Sequence, residues 1–250
     1  MTTESLLLLS AAFFVVAALY TSVGHAGASG YLAVMALMGV APATMRPTAL
    51  ALNIMVASIT VFRFTRAGYF AWRNLWPFLL GSVPLAAIGG GWKLANHAYY
   101  LVAAAALVLA AFVLLWRALG RSIDESGRSS RIPVGPAVAI GATIGLLSGL
   151  TGTGGGIFLS PVVLLSGWAG PRQTAGISAP FILINSIVAL IATQVTWSTL
   201  PTELPWLALA VVLGALVGTW FGLKRLSAPA LLAALAVVLL LAAGKLLLTR

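Results

Sequence analysis

Two glycine clusters carry the residue types and spacing that could do chemistry, and that chemistry is anion binding by main-chain N–H groups. They are Gly24-His25-Ala26-Gly27-Ala28-Ser29-Gly30 and Gly149-Leu150-Thr151-Gly152-Thr153-Gly154-Gly155-Gly156. Each cuts into an apolar run, and each is followed by an apolar stretch too short to cross a bilayer, residues 31–40 and 157–168. A helix of about 12 residues rises only about 18 Å, against a hydrocarbon core of about 30 Å. Backbone freed from hydrogen bonds at that depth survives only where protein buries it or where it lines a watery cavity.

The short helices are expected to begin near Ser29 and Gly156. Their N-termini present unpaired N–H groups and about half a positive charge, which suits an anion without any basic side chain. The acidic residues agree in sign. The chain has only Glu4, Asp124, Glu125 and Glu203, all in loops or at segment ends, whereas a cation path or carboxylate proton relay needs an acid inside the membrane. The candidate binding set is therefore Gly24, His25, Ala26, Gly27 and Ser29 from the first cluster, with Gly152, Thr153, Gly154, Gly155 and Gly156 from the second.

Other polar residues on apolar segments extend the set. His25, standing where Thr153 stands in the second cluster, could donate to an anion or carry a coupled proton, or be satisfied by a neighbouring carbonyl. Asn53 and Asn185 are donors either to an oxyanion or between helices. Thr48, Ser178 and Gln194 are candidates for lining the path, with interhelical bonding as the competing role. Arg46 and Arg172 follow the two short helices at roughly matching positions and are candidate gates or interfacial anchors. The second cluster is not a nucleotide loop, because no Lys-Ser/Thr follows its glycines. Lone glycines such as Gly81, Gly141 and Gly214 are assigned to close helix packing.

The elements that must position these residues are membrane helices. Hydrophobic residues make up 61% of the 250 and charged residues 7%, a balance foreign to soluble domains. The long apolar runs lack the alternation of a barrel strand. With no cysteine, disulfides, thiolate metal sites and cysteine nucleophiles are excluded. No metal-ligand cluster is visible, and no cofactor is expected. The net charge of +10 does not signal nucleic acid, because the Lys and Arg residues sit singly or in pairs at segment ends. The first apolar run lacks a basic leader, with Glu4 as the only preceding charge, and reads as a span rather than a cleaved signal.

Ten apolar segments are expected, at 6–23, 29–40, 47–64, 75–92 and 98–116, then 134–150, 156–168, 175–195, 204–222 and 229–248. Residues 1–116 and 133–250 form two repeats, joined by a polar linker at 117–132 that carries Arg121, Asp124, Glu125 and Arg128. A shift of 128 residues lays Gly24 on Gly152, Gly39 on Gly167, Ser58 on Ser186, Pro77 on Pro205, Gly90 on Gly218 and Trp92 on Trp220. With the linker in the cytoplasm, Arg63, Arg66, Arg73, Arg117, Arg121, Arg128, Arg131, Arg172, Lys224 and Arg225 fall inside. Only Arg46, Lys93, Lys245 and Arg250 then fall outside, in keeping with the positive-inside rule. Five segments per half is odd, so the halves run in opposite directions and both termini lie outside. Trp76, Trp92, Trp168, Trp197, Trp206 and Trp220 near segment ends read as interfacial belts. The predicted fold is an all-α polytopic membrane protein of two inverted repeats, each with a broken or re-entrant helix pair at its glycine hinge.

The stretch Gly149 to Pro161 (GLTGTGGGIFLSP), then Pro171-Arg172 and Ser178 leading to Asn185, resembles the second-half signature of the TauE/SafE sulfite-exporter family, also called the 4-toluene sulfonate uptake permeases. The resemblance extends over the full length in size, duplicated halves and polar central loop. It implies transport of sulfur-containing anions, such as sulfite, sulfoacetate, other organosulfonates or thiosulfate, across a bacterial or archaeal cytoplasmic membrane. It also implies that Gly152 to Gly156 lie at the anion. The first half departs from the family pattern: His25-Ala26-Gly27-Ala28-Ser29 replaces further glycines, and no proline precedes Pro42.

The expected function is a secondary transporter, not an enzyme, exporting a small oxyanion by alternating access. A passive anion channel, or uptake coupled to a proton or sodium, is the alternative. The expected partners are the anion and the bilayer, with homo-oligomerisation left open.

Overall fold

The computed structural model describes residues 3–92, 94–119, 132–194, 200–224 and 229–248. Within them the chain folds into ten helices and no strand: α1 Thr3–Ser22, α2 Ala28–Leu37, α3 Pro42–Arg66, α4 Trp72–Gly91, α5 Asn96–Leu119, α6 Val134–Thr151, α7 Gly156–Leu165, α8 Pro171–Ala192, α9 Leu204–Lys224 and α10 Pro229–Leu248. Residues 120–131 of the expected linker, together with Lys93, Trp197, Arg225 and Arg250, lie outside the described residues.

Each expected segment corresponds to one helix, but several helices begin earlier than expected, α3 and α8 by the most. α3 opens at Pro42 rather than at residue 47, and α8 at Pro171 rather than at 175. Proline at the first helical position gives up an N–H that has no intrahelical partner there, and its fixed φ suits a helix start. Arg46 and Arg172 consequently stand within the first turns of α3 and α8, not in loops behind the short helices. Among the described residues, six helices are long and apolar enough to cross a membrane. α2 and α7, at 10 residues each, are not, since each rises only about 15 Å.

Packing follows small residues. The closest pairs are α4 with α6 and α1 with α9. Gly141, Gly145 and Gly149, one helical turn apart on α6, lie against the main chain of Phe78, Ser82 and Ala86 of α4. A methyl group on Gly149 would sit 2.5 Å from the Ala86 carbonyl oxygen. Gly214, Gly218 and Gly222 of α9 lie in the same way against Phe14, Ala18 and Ser22 of α1. Between apolar helices in lipid, such stripes allow backbones to approach closely, and dispersion contacts then hold the pair. The lone glycines Gly81, Gly141 and Gly214 therefore have the packing role expected of them.

α3 packs along α8, and α5 along α10. Exchanging α1–α5 for α6–α10 leaves these two pairs in place. It also carries α4·α6 onto α9·α1, α4·α8 onto α9·α3, and α7·α8 onto α2·α3. The outer faces are apolar, with Leu8, Phe112, Ile191 and Leu241 among the exposed side chains. Trp76, Trp92, Trp206 and Trp220 are exposed near helix ends, where an amphipathic ring meets both lipid and water.

Overpacking a backbone contact costs about 1–3 kcal/mol. Gly145→Leu is expected to lower the melting temperature of the detergent-solubilised protein by several degrees, whereas Gly244→Ala, with open space around the added methyl, is expected to leave it unchanged or slightly raised. Differential scanning fluorimetry of the two variants checks this.

Candidate functional site

Both hinges are buried along their whole length: residues 24–30 and 151–161 are shielded from solvent. Exposure returns only at the far ends of the short helices, at Leu37 and Leu165. α2 and α7 thus point their N-termini into the protein and their C-termini outward. The Lys245 Nζ donates to the Leu37 carbonyl at 2.6 Å, placing a cation at the negative end of α2.

The local backbone explains why glycine stands at both entrances. Gly27 and Gly155 occupy the N-cap positions of α2 and α7 with φ of 102° and 79°, a left-handed conformation that residues with a Cβ rarely adopt. Having no side chain, neither can cap its own helix. The first-turn N–H groups of α2 and α7 are therefore left for other partners. One is supplied by α3: the Ala28 N–H donates to Asn53 Oδ1 at 3.2 Å.

Carbonyls released by the hinges find hydroxyls. Tyr31 Oη donates to Ala26 O at 2.8 Å, and Tyr99 Oη to Thr151 O at 3.2 Å. Thr151 and Thr153 pair through their hydroxyls at 2.9 Å, and the Thr153 N–H donates to Thr151 Oγ1 at 3.3 Å. Ser29 turns its hydroxyl to Tyr20 Oη at 2.7 Å, toward α1.

The two hinges meet through His25 and Asn53. His25 Nε2 lies 3.0 Å from Gly156 O at the start of α7. A carbonyl only accepts, so Nε2 carries the proton. Ser160 Oγ lies 3.0 Å from the same nitrogen and accepts from it, which leaves its own O–H to pair with Ser178 Oγ at 2.8 Å. Asn53 uses both ends of its amide: Oδ1 holds the start of α2, while Nδ2 donates to Ser186 Oγ of α8 at 2.9 Å. A side chain on Gly154 would run into that amide nitrogen and into Ser186 Oγ.

The structure thus gathers Gly27, His25, Asn53, Gly154, Gly155, Gly156 and Ser178 into one buried cluster. Gly24 packs against Ala175, and Gly152 caps α6 while its α-carbon faces Arg46. Asn185 stays within its own helix, with Nδ2 donating to Phe181 O at 2.8 Å. Thr48 is buried. Gln194 is exposed beyond the end of α8 on left-handed backbone, so it lines no interior path. Ser160 and Ser186 join the cluster although neither was a candidate. Ser160 follows Gly156 by four residues, one turn along the same helix face, and Ser186 follows Ser178 by eight; helical spacing alone could have found both.

The chemistry open to this cluster is recognition of a negative group by N–H and O–H donors. The family model described as Sulfite exporter TauE/SafE matches residues 9–246. Over 239 residues the chain is 42% identical to the Probable membrane transporter protein y4hK of Sinorhizobium fredii (strain NBRC 101917 / NGR234), which covers 96% of this chain and 97% of that relative. No solved structure matches the chain.

An unsatisfied buried donor costs about 1–3 kcal/mol. Asn53→Ala removes partners from both Ala28 N–H and Ser186 Oγ, whereas Ser186→Ala removes one partner from Asn53. The expected order of thermal stability in detergent is wild type above Ser186→Ala above Asn53→Ala.

Proposed function

The chain belongs to the sulfite exporter TauE/SafE family of membrane transporters, and on that premise we propose that it is a secondary carrier of small sulfur-containing oxyanions, acting in export. The cargo class is sulfite, sulfoacetate or another organosulfonate. The single observation that carries this reading is the inward aim of α2 and α7. Two helix starts on left-handed glycines, drawn together at a fully buried cluster, turn their positive ends toward one place.

The membrane protein is multi-pass, and we place it in the cytoplasmic membrane as part of this reading. We read the halves as inverted repeats with the linker at 117–132 cytoplasmic and both termini outside, from the segment parity and the distribution of Lys and Arg. Gly27, Gly155 and Gly156 would present main-chain N–H groups to the anion, with Asn53 Nδ2, Ser160 and Ser178 as neutral donors. An inside-negative potential favours anion exit by about 2.3 kcal/mol per charge per 100 mV, so export needs no coupled ion.

A second reading, uptake coupled to a proton, is favoured by one residue. His25 is the ionisable side chain in the cluster, and its bond to Gly156 O joins the first hinge to the start of α7. Protonation at Nδ1 would add a positive charge beside the anion, and its loss would accompany release.

Reconstituted proteoliposomes test both readings. Labelled sulfite or sulfoacetate is expected to move with saturation and trans-stimulation, and Gly155→Leu to abolish flux while leaving membrane insertion intact. Movement of another substrate class with these two immobile would reject the cargo. His25→Gln, which keeps a donor but cannot titrate, is expected to flatten the pH dependence of flux between about pH 5 and 8 if His25 carries a proton; an unaltered profile would leave uncoupled export.

A further inference from the structure

Arg46 stands near the start of α3, yet its guanidinium leaves that helix. Nη2 donates to Gly89 O at 2.7 Å, Gly90 O at 2.6 Å and Gly149 O at 2.5 Å, and Nη1 to Trp92 O at 3.3 Å. These oxygens belong to the last turns of α4 and α6, where helix carbonyls lack intrahelical partners and the dipole leaves a negative end. A planar five-donor fork that is always charged can serve both ends at once. The aliphatic stem also touches the second hinge, since a methyl on Gly152 would lie 3.0 Å from Arg46 Cγ.

The packing shows what this side chain joins. α4 and α6 are in main-chain contact through glycine, and Gly90 carries α4 onto Ala189 and Ala192 of α8. α4, α6 and α8 therefore form one body drawn from both repeats. Because α1 and α9 are in similar contact across the repeats, the repeats as wholes cannot part without separating two glycine-packed interfaces. The line between α3 and α8 is different. α3 has no glycine, and along its length the bonds that cross or flank this line are made by side chains: Arg46 at one end, Asn53 to Ser186 between, and Arg172 Nη1 to Tyr69 Oη at 3.4 Å at the other. Glycine contact comes only past the end of α3, where Gly176 of α8 lies against the Tyr69 main chain. A cleft of about 180 Å³ lined by Tyr69, Gly170, Pro171, Arg172 and Gln173 opens at that other end.

We propose that Arg46 is a positioning residue of the transport cycle, a latch that ties α3 to the α4·α6·α8 body and releases when the anion site opens to the Arg46 face. This rests on the carrier reading. The body that moves is then a cross-repeat unit, and the seam it moves along is the one between α3 and α8. With Arg46 bonded to the ends of α4 and α6, the structure corresponds to the state closed on the Arg46 side, opposite the linker.

Cysteine accessibility tests this without any assumption about cargo. The chain has no cysteine, so Ser148→Cys, fully buried on the last turn of α6 and adjacent to Gly155, introduces one reporter. A membrane-impermeant charged maleimide is applied from each face of oriented vesicles. Adding Arg46→Gln is expected to raise labelling from the face opposite the linker by about tenfold, as loss of several charge-assisted hydrogen bonds shifts the population. Adding Arg46→Lys, which keeps the charge but cannot fork over both helix ends, is expected to raise it by a smaller factor. Unchanged labelling in both variants overturns the latch, as does an equal rise from both faces, which would mean general loosening. Failure of sulfite or sulfoacetate to move, with the labelling pattern as expected, would instead fall on the proposed cargo.

Discussion

A broken backbone inside an apolar protein must satisfy its polar groups from within, and that requirement organises this molecule. Residues 24–30 and 151–161 are buried, and each orphaned main-chain group left there costs free energy comparable to a lost hydrogen bond. The carbonyls are answered by Tyr31, Tyr99 and His25, all donors brought from helices or from the opposite hinge. Among the N–H groups, Asn53 holds that of Ala28 at the start of α2. Donors gathered at two helix starts fit the anion site proposed above, and they are brought together by the way the breaks are patched.

Glycine does two separate jobs, and the difference is geometric. At Gly27 and Gly155 it supplies a backbone conformation that residues with a Cβ rarely adopt, so that a helix can start where the preceding one has just stopped. On α6 and α9 it supplies nothing but the absence of a side chain, at ordinary helical φ, so that main chains can touch. The two uses meet at the end of α6. Gly149 packs on α4 and gives its carbonyl to Arg46, and three residues later Gly152 turns the chain into the hinge. The rigid contact and the reactive break are thereby mechanically continuous.

Much of this was legible in residue order because the signals are local. Apolar runs bounded by glycine, proline and charge located all ten helices, and the length of the runs after each glycine cluster marked α2 and α7 as half-spans. Helix starts at Pro42 and Pro171 were missed because an apolar run was weighed above a proline whose place at a first turn is favourable. Side-chain partnerships were not legible. Asn53 and Asn185 look alike as amides on apolar helices, yet one bridges three elements and the other bonds its own helix. Only the crossing of α3 with α8 separates them. Arg46 shows the same limit: its neighbours in sequence suggest an interfacial anchor, while its four acceptors come from 43 to 103 residues away.

The separation of charge from the central cluster bears on turnover. Arg46 and Arg172 stand at opposite ends of the α3–α8 seam, where Arg46 holds carbonyls of α4 and α6 and Arg172 Nη1 donates to Tyr69 Oη. A guanidinium beside a sulfonate would grip two oxygens at once in roughly doubled bond strength, and in a buried setting that grip would be slow to let go. Neutral donors and helix termini hold an anion by several weaker contacts, each lost separately as the surrounding helices shift. On the proposed carrier reading the cargo must be released on every cycle, and a centre of neutral donors and helix termini would suit passage better than storage. At the seam ends Arg46 holds helix carbonyls and Arg172 a tyrosine hydroxyl, so on the proposed carrier reading charge would act on the closing of each end rather than on the binding of the cargo.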